Sequence, residues 1–225
     1  MDLIAGEVEV IEKYISSDSI VFDVGSFVGE WSKEVLSRGL ASHVHSFEPS
    51  PIHFQPMVEN LKEFEKKLSP NNLAVGEKIG KFPFWIYRDV PVLSTLFKRN
   101  AKTMESLGIA EPEAILVDTI TIDEYCRHYG IEHIDFLKID AEGAEAAVIR
   151  GAQRLISNQN IGHIQFEYGG CFQDAGATLK EIFLYLVENG YEIGRIVKGD
   201  IQFISQFDPK MESYTYCNYL GKLKR

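Results

Sequence analysis

An acidic residue and two glycines mark the part of the sequence best suited to hold a ligand. In the segment VFDVGSFVG, Asp23 ends a short apolar run, Gly25 follows two residues later, and Gly29 comes four residues after that. This D-x-G-x-x-x-G spacing predicts a strand, a tight turn and a helix that starts near Gly29. It differs from the G-x-G-x-x-G loop of dinucleotide-binding proteins, which disfavours an NAD-dependent oxidoreductase. Alone, the segment fits a cofactor loop or an ordinary strand-to-helix turn equally well.

A second carboxylate follows at a distance that has a known use. Glu48 lies in the run Phe47-Glu48-Pro49, on the next predicted strand after the glycine loop. A carboxylate about 20 residues beyond such a loop holds ribose hydroxyls in Rossmann-like folds. Glu48 can accept two hydrogen bonds from a cis-diol. A ribose contact is therefore favoured over a solvated acid in a loop.

Further acids follow two other apolar runs. Asp140 closes the run IDFLKID, and the carboxyl end of a strand is where open α/β sheets place their ligand crevice. Glu142 and Glu145 lie in the first turn of the next helix, where acids also favour the helix dipole, and for Glu145 that structural role is preferred. Glu167 ends another run and could face a substrate or cap a strand. Lys138, inside an apolar strand, is expected to pair with a carboxylate.

Composition narrows the class of protein. The 225 residues are 45% hydrophobic and carry a formal charge of -10 without a basic stripe, which suits one α/β domain and disfavours nucleic-acid binding. Three scattered cysteines and six histidines form no metal-ligand spacing. No apolar run approaches the ~20 residues of a membrane span, and the first residues do not resemble a signal peptide. A cytoplasmic protein that does not bind membranes is expected.

Short apolar runs alternate with segments of helical period, which is typical of βαβ units and a mainly parallel sheet. We expect a single domain over residues 1–225, an N-terminal helical segment over 1–19, and a segment over 87–113 that lies outside the core pattern. Strands are predicted at 20–24, 44–48, 71–75, 81–87, 114–117, 134–140 and 163–168, with a β-rich region over 191–222. Capping boxes at 121–124 and 178–181 predict two helix starts.

These motifs together resemble the FkbM family of methyltransferases, from about residue 20 to 155 and more weakly beyond. The most specific match is the run K-I-D-x-E-G-x-E at 138–145, after a T-x-D-E segment at 121–124. The runs at 47–49 and 72–76 are also similar to family motifs. The resemblance implies a Rossmann-like methyltransferase fold: α/β, with a mainly parallel seven-stranded sheet, helices on both faces and an antiparallel final strand.

The resemblance also implies a cofactor, S-adenosyl-L-methionine, and a set of site residues. Asp23 and Gly25 would line its methionine part, Glu48 its ribose, and Ala74 and Val75 its adenine region, while Asp140 would lie next to the reacting methyl group. The whole expected cofactor-binding set is Asp23, Gly25, Ser26, Phe27, Gly29, Trp31, Glu48, Pro49, Asn72, Ala74, Val75 and Asp140. In two places the chain departs from the family pattern: Phe27 stands where a polar residue is common, and Tyr168 stands where a histidine often follows the acid.

The implied reaction is O-methylation of a hydroxyl on a sugar or natural product. A base that takes the hydroxyl proton could add ~10²–10⁴-fold in rate. Asp140 is the first candidate, with Glu142 and Glu167 behind it. If these acids cluster, they could instead hold a divalent cation such as Mg²⁺. The alternatives are methylation of nitrogen or carboxylate in a peptide or metabolite, and a non-catalytic cofactor-binding protein.

The acceptor is expected to meet the 87–113 segment, because a segment outside the core pattern often sets specificity. Its mix of aromatic and basic residues suits a sugar or an acidic small molecule, and it could equally form a contact between copies of the chain in a homo-oligomer. The residues concerned are Tyr87, Arg88, Phe97, Lys98 and Arg99.

Overall fold

The structure is a computed structural model that describes residues 6–224. Within the expected N-terminal helical segment, residues 1–5 lie outside the described part, and helix α1 covers Glu7–Tyr14. The first strand, β1 (Ile20–Val24), has the predicted bounds. None of the helices within 6–224 is long and apolar enough to cross a membrane.

Two sheets are present in the described part of the chain. The large one has the order β10-β9-β11-β8-β7-β1-β2-β3 and the small one the order β4-β6-β5. After β1, the remaining strands are β2 (His43–Phe47), β3 (Leu68–Asn71), β4 (Ala74–Val75), β5 (Gly80–Ile86), β6 (Glu113–Ile120), β7 (Ile134–Ile139), β8 (Ile161–Tyr168), β9 (Tyr191–Val197), β10 (Asp200–Ile204) and β11 (Cys217–Leu223).

The large sheet confirms a mainly parallel arrangement with an antiparallel final strand, but it has eight strands where seven were expected. Strands β3, β2, β1, β7 and β8 pair in parallel, and β11 lies antiparallel between β8 and β9. The eighth strand is β10, which folds back antiparallel on β9. Gly199, with φ of 79°, makes this tight turn possible, since that backbone conformation favours glycine.

Helices cover both faces of the large sheet. After α1 they are α2 (Glu30–Ser37), α3 (Pro51–Asn60), α4 (Ala101–Leu107), α5 (Ile122–Tyr129), α6 (Glu145–Arg150), α7 (Gln153–Ser157), α8 (Cys171–Ala175) and α9 (Leu179–Glu188). Both predicted capping boxes are confirmed: Thr121 accepts from the backbone N–H of Glu124, and Thr178 from that of Glu181. Along β1, Val21 packs in the cluster with α1 and α2, and Phe22 packs in the cluster on the opposite face.

The small sheet carries the segment that the sequence set apart. Strands β5 and β6 pair antiparallel, with Ile86 opposite Glu113, so the residues between them leave and re-enter the fold at one point. This 87–113 segment contains α4. The strand expected over 71–75 is two strands instead, because β3 pairs with β2 and β4 pairs with β6 in the other sheet.

The order of the large sheet determines where a ligand can bind. From β1 the chain runs outward to β2 and β3, and it later returns to β7 on the other side of β1. At such a switch point the loops after neighbouring strands diverge and leave a crevice at the carboxyl ends. Gly25 lies there with φ of 79°, and a Cβ atom on it would come within 1.7 Å of the carbonyl oxygen of Asp140.

We expect Gly25→Ala to be far more destabilising than Gly39→Ala. Both glycines have positive φ, but a Cβ on Gly39 meets nothing within 4 Å. Gly39→Ala should therefore cost only the backbone strain, about 1–2 kcal/mol. Gly25→Ala adds a backbone clash, so its total cost should be about 3 kcal/mol or more. Urea unfolding monitored by circular dichroism measures both, and equal midpoints would contradict the close approach of the two loops.

Candidate active site

A cavity of about 1230 Å³, including the part open to solvent, occupies the crevice at the switch point. Its walls come from the carboxyl ends of β1, β2, β7 and β8, from the loops after the first three of these strands, from the small sheet and from the 87–113 segment. Of the residues predicted from the sequence, the cavity is lined by Gly25, Ser26, Phe27, Trp31, Glu48, Pro49, Ala74, Val75, Asp140, Glu142 and Glu167.

Asp23 was expected to line the cofactor, but it does not line the cavity. Its side chain is fully buried, and one carboxylate oxygen accepts a hydrogen bond of 2.7 Å from Ser32 on α2. The other oxygen lies 3.2 Å from Nζ of Lys138. The pleat of β1 points Asp23 at α2, whereas the ligand crevice opens one residue further along. Asp23 therefore supports the site from beneath.

Two other expected cofactor residues also lie behind the cavity wall. Gly29 is the N-cap residue of α2 with φ of 84°, and a Cβ on it would press against the side chains of Leu61 and Met57. Asn72 donates its side-chain amide to the carbonyl oxygens of Glu48 and Pro49. Both residues shape loops that line the cavity, and neither lines it.

Glu48 stands at one end of the cavity as a buried carboxylate. One oxygen accepts the backbone N–H of Phe27 at 2.9 Å, and the other accepts that of Ser50 at 2.8 Å. Burial raises the pKa of Glu48, while His53 and these two N–H groups act in the opposite direction. His53 also lies beside the oxygen that accepts from Ser50, with its Nδ1 at 3.7 Å. Since a carboxylate has about four acceptor sites, the oxygen that accepts from Phe27 keeps capacity for one more donor. Glu48 thus joins two loops and can still bind a diol.

The aromatic residue in the glycine loop has a strained backbone. Phe27 has φ of 50°, which a bulky side chain rarely adopts. Its ring packs on His53 with 4.4 Å between centroids, and its N–H bonds to Glu48. Trp31, on the first turn of α2, also lines the cavity, and its buried indole Nε1–H has no hydrogen-bond partner among the described residues. An unpaired buried donor of this kind suits an acceptor oxygen on a ligand.

An apolar slot lies between the small sheet and the main domain. Ala74 and Val75, which the resemblance assigned to the adenine region, line it. The structure adds five residues to this wall, namely Leu73, Phe84, Pro91, Val92 and Leu96. The last three belong to the 87–113 segment, so part of that segment lines the cavity.

A buried ammonium organises the opposite end. Nζ of Lys138 lies 3.2 Å from Asp23 and 3.3 Å from Asp140, as the sequence led us to expect of a lysine inside an apolar strand. Burial alone would lower the pKa of Lys138, but these two carboxylates raise it well above its ordinary value. The same ion pair outweighs burial at Asp140 and lowers its pKa. Asp140 is therefore ionised, and its side chain is 36% exposed.

The three candidate catalytic acids lie together around Asp140. Glu167 shares a hydrogen bond with Asp140, and burial together with the Asp140 charge raises the pKa of Glu167 well above its ordinary value. Burial and the same charge raise the pKa of Glu142 to about 7, although Arg99 acts in the opposite direction. The three carboxyl groups therefore differ in how readily they ionise: the pKa of Asp140 is lowered, that of Glu142 is raised to about 7, and that of Glu167 is raised well above its ordinary value.

Glu145 has a structural role, as the sequence favoured, but it acts on the loop before α6 and not only on the helix dipole. It begins α6, and its buried carboxylate turns back to accept the backbone N–H groups of Ala141 and Gly143, each at 2.8 Å. These bonds fix a loop in which Glu142 has φ of 53° and Gly143 φ of 107°. The loop therefore presents Glu142 to the cavity.

Sequence reasoning missed the contacts that come from distant segments. The guanidinium of Arg99 donates to Glu142 at 2.5 Å, although 43 residues separate the two. Two other basic residues of the 87–113 segment also have acidic partners: Arg88 pairs with Glu113, and Lys98 with Glu111. No short-range signal marks such pairs. Only the expectation that the segment covers the site pointed towards them.

One group of side chains resembles a metal centre only in part. Ligand atoms of Glu142, Glu167 and Cys171 lie within 4.8 Å of one another. Mg²⁺ prefers oxygen ligands, so the thiol is a poor third member. The Arg99 guanidinium already neutralises Glu142. The arrangement is better suited to proton transfer than to holding a divalent cation.

Comparisons with known proteins agree with this geometry. A sequence profile described as the methyltransferase FkbM domain matches residues 23–193. The chain is 21% identical over 165 residues to the 2-O-methyltransferase NoeI of Sinorhizobium fredii, covering 71% of this chain and 66% of that one. It is 25% identical over 154 residues to the 31-O-demethyl-FK506 methyltransferase FkbM of Streptomyces tacrolimicus, covering 60% and 59%. The chain thus spans slightly less than two thirds of these curated relatives.

A solved structure shows the same fold. The crystal structure of methyltransferase FkbM from Methylobacillus flagellatus aligns with a TM-score of 0.57 and 18% sequence identity, covering 91% of this chain and 44% of that chain. At this identity the likeness concerns the fold alone.

We expect Lys138→Met to destabilise the protein by about 3–5 kcal/mol, because it leaves Asp23 as an uncompensated buried charge. Lys33→Met is the matched control. Lys33 also pairs with an acid, Glu63, but both side chains are exposed, so its loss should cost less than about 1 kcal/mol. Chemical denaturation of the parent and both variants at pH 7 provides the comparison. If the two variants lose similar amounts of unfolding free energy, the buried ion pairs stabilise the protein no more than the exposed pair does.

Proposed function

The chain belongs to the FkbM family of methyltransferases, and we propose that it transfers a methyl group from S-adenosylmethionine to a hydroxyl of a neutral small molecule, such as a sugar, in the cytoplasm. One observation carries the proposal: a single cavity joins the Glu48 carboxylate at one end to the three acids around Asp140 at the other. The O-methyltransferase relatives support the choice of a hydroxyl as the acceptor.

The residues present fit this cofactor at four points. Glu48 has acceptor capacity for the ribose diol, and the apolar slot at Ala74 and Val75 suits an adenine ring. The unpaired Nε1–H of Trp31 suits a carboxylate oxygen of the methionine part. The ionised Asp140 favours a cationic sulfonium nearby. We therefore assign Glu48 to the ribose, Trp31 to the amino-acid end and Asp140 to the side of the reacting methyl.

When bound, S-adenosylmethionine supplies a methyl group on a cationic sulfonium, which loses its charge as the methyl leaves. The protein must align the acceptor oxygen with that methyl and exclude water, and positioning of this kind is worth ~7–11 kcal/mol. The 87–113 segment provides the cover, because Pro91, Val92 and Leu96 close the apolar side of the cavity.

The proton of the acceptor needs a base, and the structure favours Glu142 over Asp140. A base works best when its pKa is near the working pH. Glu142 has a pKa of about 7 and lines the cavity. Asp140, the first candidate from the sequence, has a lowered pKa because Lys138 holds it as an anion, which makes it a weaker base. Burial and the Asp140 charge raise the pKa of Glu167 well above its ordinary value, so its carboxyl group loses a proton less readily than that of Asp140.

The acceptor class follows from the charges that line the cavity. Among the described residues that line it, Lys138 is the one lysine or arginine, and its charge is directed at Asp23 and Asp140. The basic side chains of the 87–113 segment that the sequence offered to an acidic substrate are paired with glutamates instead. An anionic acceptor would meet carboxylates without a free cation. A neutral polyol fits this end better than an acidic molecule does.

We expect S-adenosylhomocysteine to stabilise the purified protein and NAD to leave it unchanged. A ligand present at about 100 times its Kd adds about 2.7 kcal/mol to the free energy of unfolding. Glu48→Gln should weaken binding by about tenfold or more, because it removes a charged acceptor. The exposed Glu59→Gln is the control. Calorimetry and thermal melts measure both effects. Stabilisation by NAD but not by S-adenosylhomocysteine would refute the proposed cofactor.

We expect methyl transfer to rise with pH through about 7, because Glu142 must lose its proton to act. Glu142→Gln should lower kcat by ~10²–10⁴-fold. Asp140→Asn removes a charge that raises the pKa of Glu142, so the acid limb should move to lower pH with a smaller loss. Transfer of a labelled methyl group to a panel of sugars, sugar acids and amines reports the rates. An inactive Asp140→Asn beside an active Glu142→Gln would return the base to Asp140.

A further inference from the structure

Arg99 is a buried cation that reaches the acid cluster from outside the main domain. It belongs to the 87–113 segment, and its side chain is 3% exposed. Its guanidinium donates to Glu142 and lies 3.7 Å from the fully buried carboxylate of Asp174. It does not itself line the cavity. A buried guanidinium is costly unless carboxylates pair with it, so its place depends on these two acids.

The backbone around Arg99 is held as firmly as its side chain. The N–H of Arg99 donates to the hydroxyl of the buried Tyr87 at 2.8 Å. The next residue, Asn100, donates its backbone N–H to Asp174 at 3.0 Å and caps α4. Thr103 donates to the same carboxylate at 3.3 Å. The guanidinium therefore approaches Glu142 from a fixed direction.

Glu142 needs such a partner because its own backbone conformation is unfavourable. Its φ of 53° costs free energy for a residue other than glycine. The groups that face it are mostly acidic or acquire negative charge: Asp140, Glu145, Glu167, Cys171 and Tyr216. Arg99 is the cation that opposes them, and it lowers the pKa of Glu142 against the raising effects of burial and Asp140.

We propose that Arg99 is a positioning residue, which fixes the orientation of the Glu142 carboxylate and favours its charged form. Proton removal by Glu142 thereby depends on the docked 87–113 segment. This inference rests on the proposed function, since Glu142 is the base there. Arg99 does not line the cavity and reaches it through Glu142, and its guanidinium also contacts Cys171 and Asp174. If Arg99 only fastened the segment to the rest of the fold, it would have no effect on the titration of Glu142.

The test reads the Glu142 carboxyl directly and needs no substrate. NMR of protein labelled with ¹³C at the glutamate side-chain carboxyl carbons follows each titration, and the signal lost in Glu142→Gln assigns that residue. Arg99→Met removes the charge while keeping an apolar stem. Arg88→Met is the matched control, because Arg88 lies in the same segment and pairs with Glu113 at an exposed site.

In Arg99→Met we expect the pKa of Glu142 to rise by about 1 to 3, the range that an adjacent arginine causes. In Arg88→Met it should stay at the parent value. If Arg99→Met does not fold, Arg99→Gln provides the same comparison with a neutral hydrogen-bond donor. If a folded variant without the Arg99 charge has an unchanged pKa at Glu142, the proposal is overturned and Arg99 has a structural role only.

A second readout separates this inference from the proposed function. Arg99→Met should bind S-adenosylhomocysteine like the parent, and the acid limb of its kcat profile should move to higher pH by the same amount as the pKa. If the parent neither binds S-adenosylhomocysteine nor transfers a methyl group, the proposed function fails while the NMR shift still stands. If binding and transfer are intact and the Glu142 titration does not move, the positioning role alone fails.

Discussion

The ammonium of Lys138 is the buried charge on which the rest of the site depends. A charge taken out of water is stabilised only by close and well-directed partners. Here those partners come from the strand beside it and from the end of its own strand, Asp23 and Asp140. Asp23 is held in turn by Ser32, which contacts Ser46 on β2. One series of polar contacts therefore joins the three parallel strands β7, β1 and β2. The cavity opens at the Asp140 end of this series.

The same charge explains how neighbouring carboxyl groups come to differ. Asp140 stays ionised beside Lys138, and that fixed anion makes ionisation harder for Glu142 and Glu167. Arg99 then counteracts the effect at Glu142. Two cations, one from the core and one from the 87–113 segment, thus help to give three neighbouring acids different pKa values. Neighbouring carboxyl groups have different pKa values in this way when the cations lie closer to some of them than to others.

The sequence predicted what local pattern controls. The bounds of β1 and the capping at Thr121 followed from apolar runs and short-range hydrogen bonds. The lining residues near the glycine loop were mostly found, because strand ends in a parallel sheet meet at one edge.

Asp23 was misplaced, since motif spacing does not reveal whether a side chain points at a ligand or at a helix. Arg99 was not identified as a partner of Glu142, because a contact across 43 residues leaves no periodic trace. The extra strand β10 depends on a hairpin whose short strand had no distinct pattern.

The way the 87–113 segment is attached has an evolutionary consequence. Its two ends are fixed side by side by the Ile86–Glu113 pair of the small sheet, so the length of the segment can change without separating those ends. Doubling the length of a flexible loop with fixed ends costs only about 0.6 kcal/mol. Insertions and deletions can therefore accumulate at little cost in the parts of this segment that lie away from the acid cluster. The stretch around Arg99 has less freedom, because its contacts with Glu142 and Asp174 tie it to the rest of the fold.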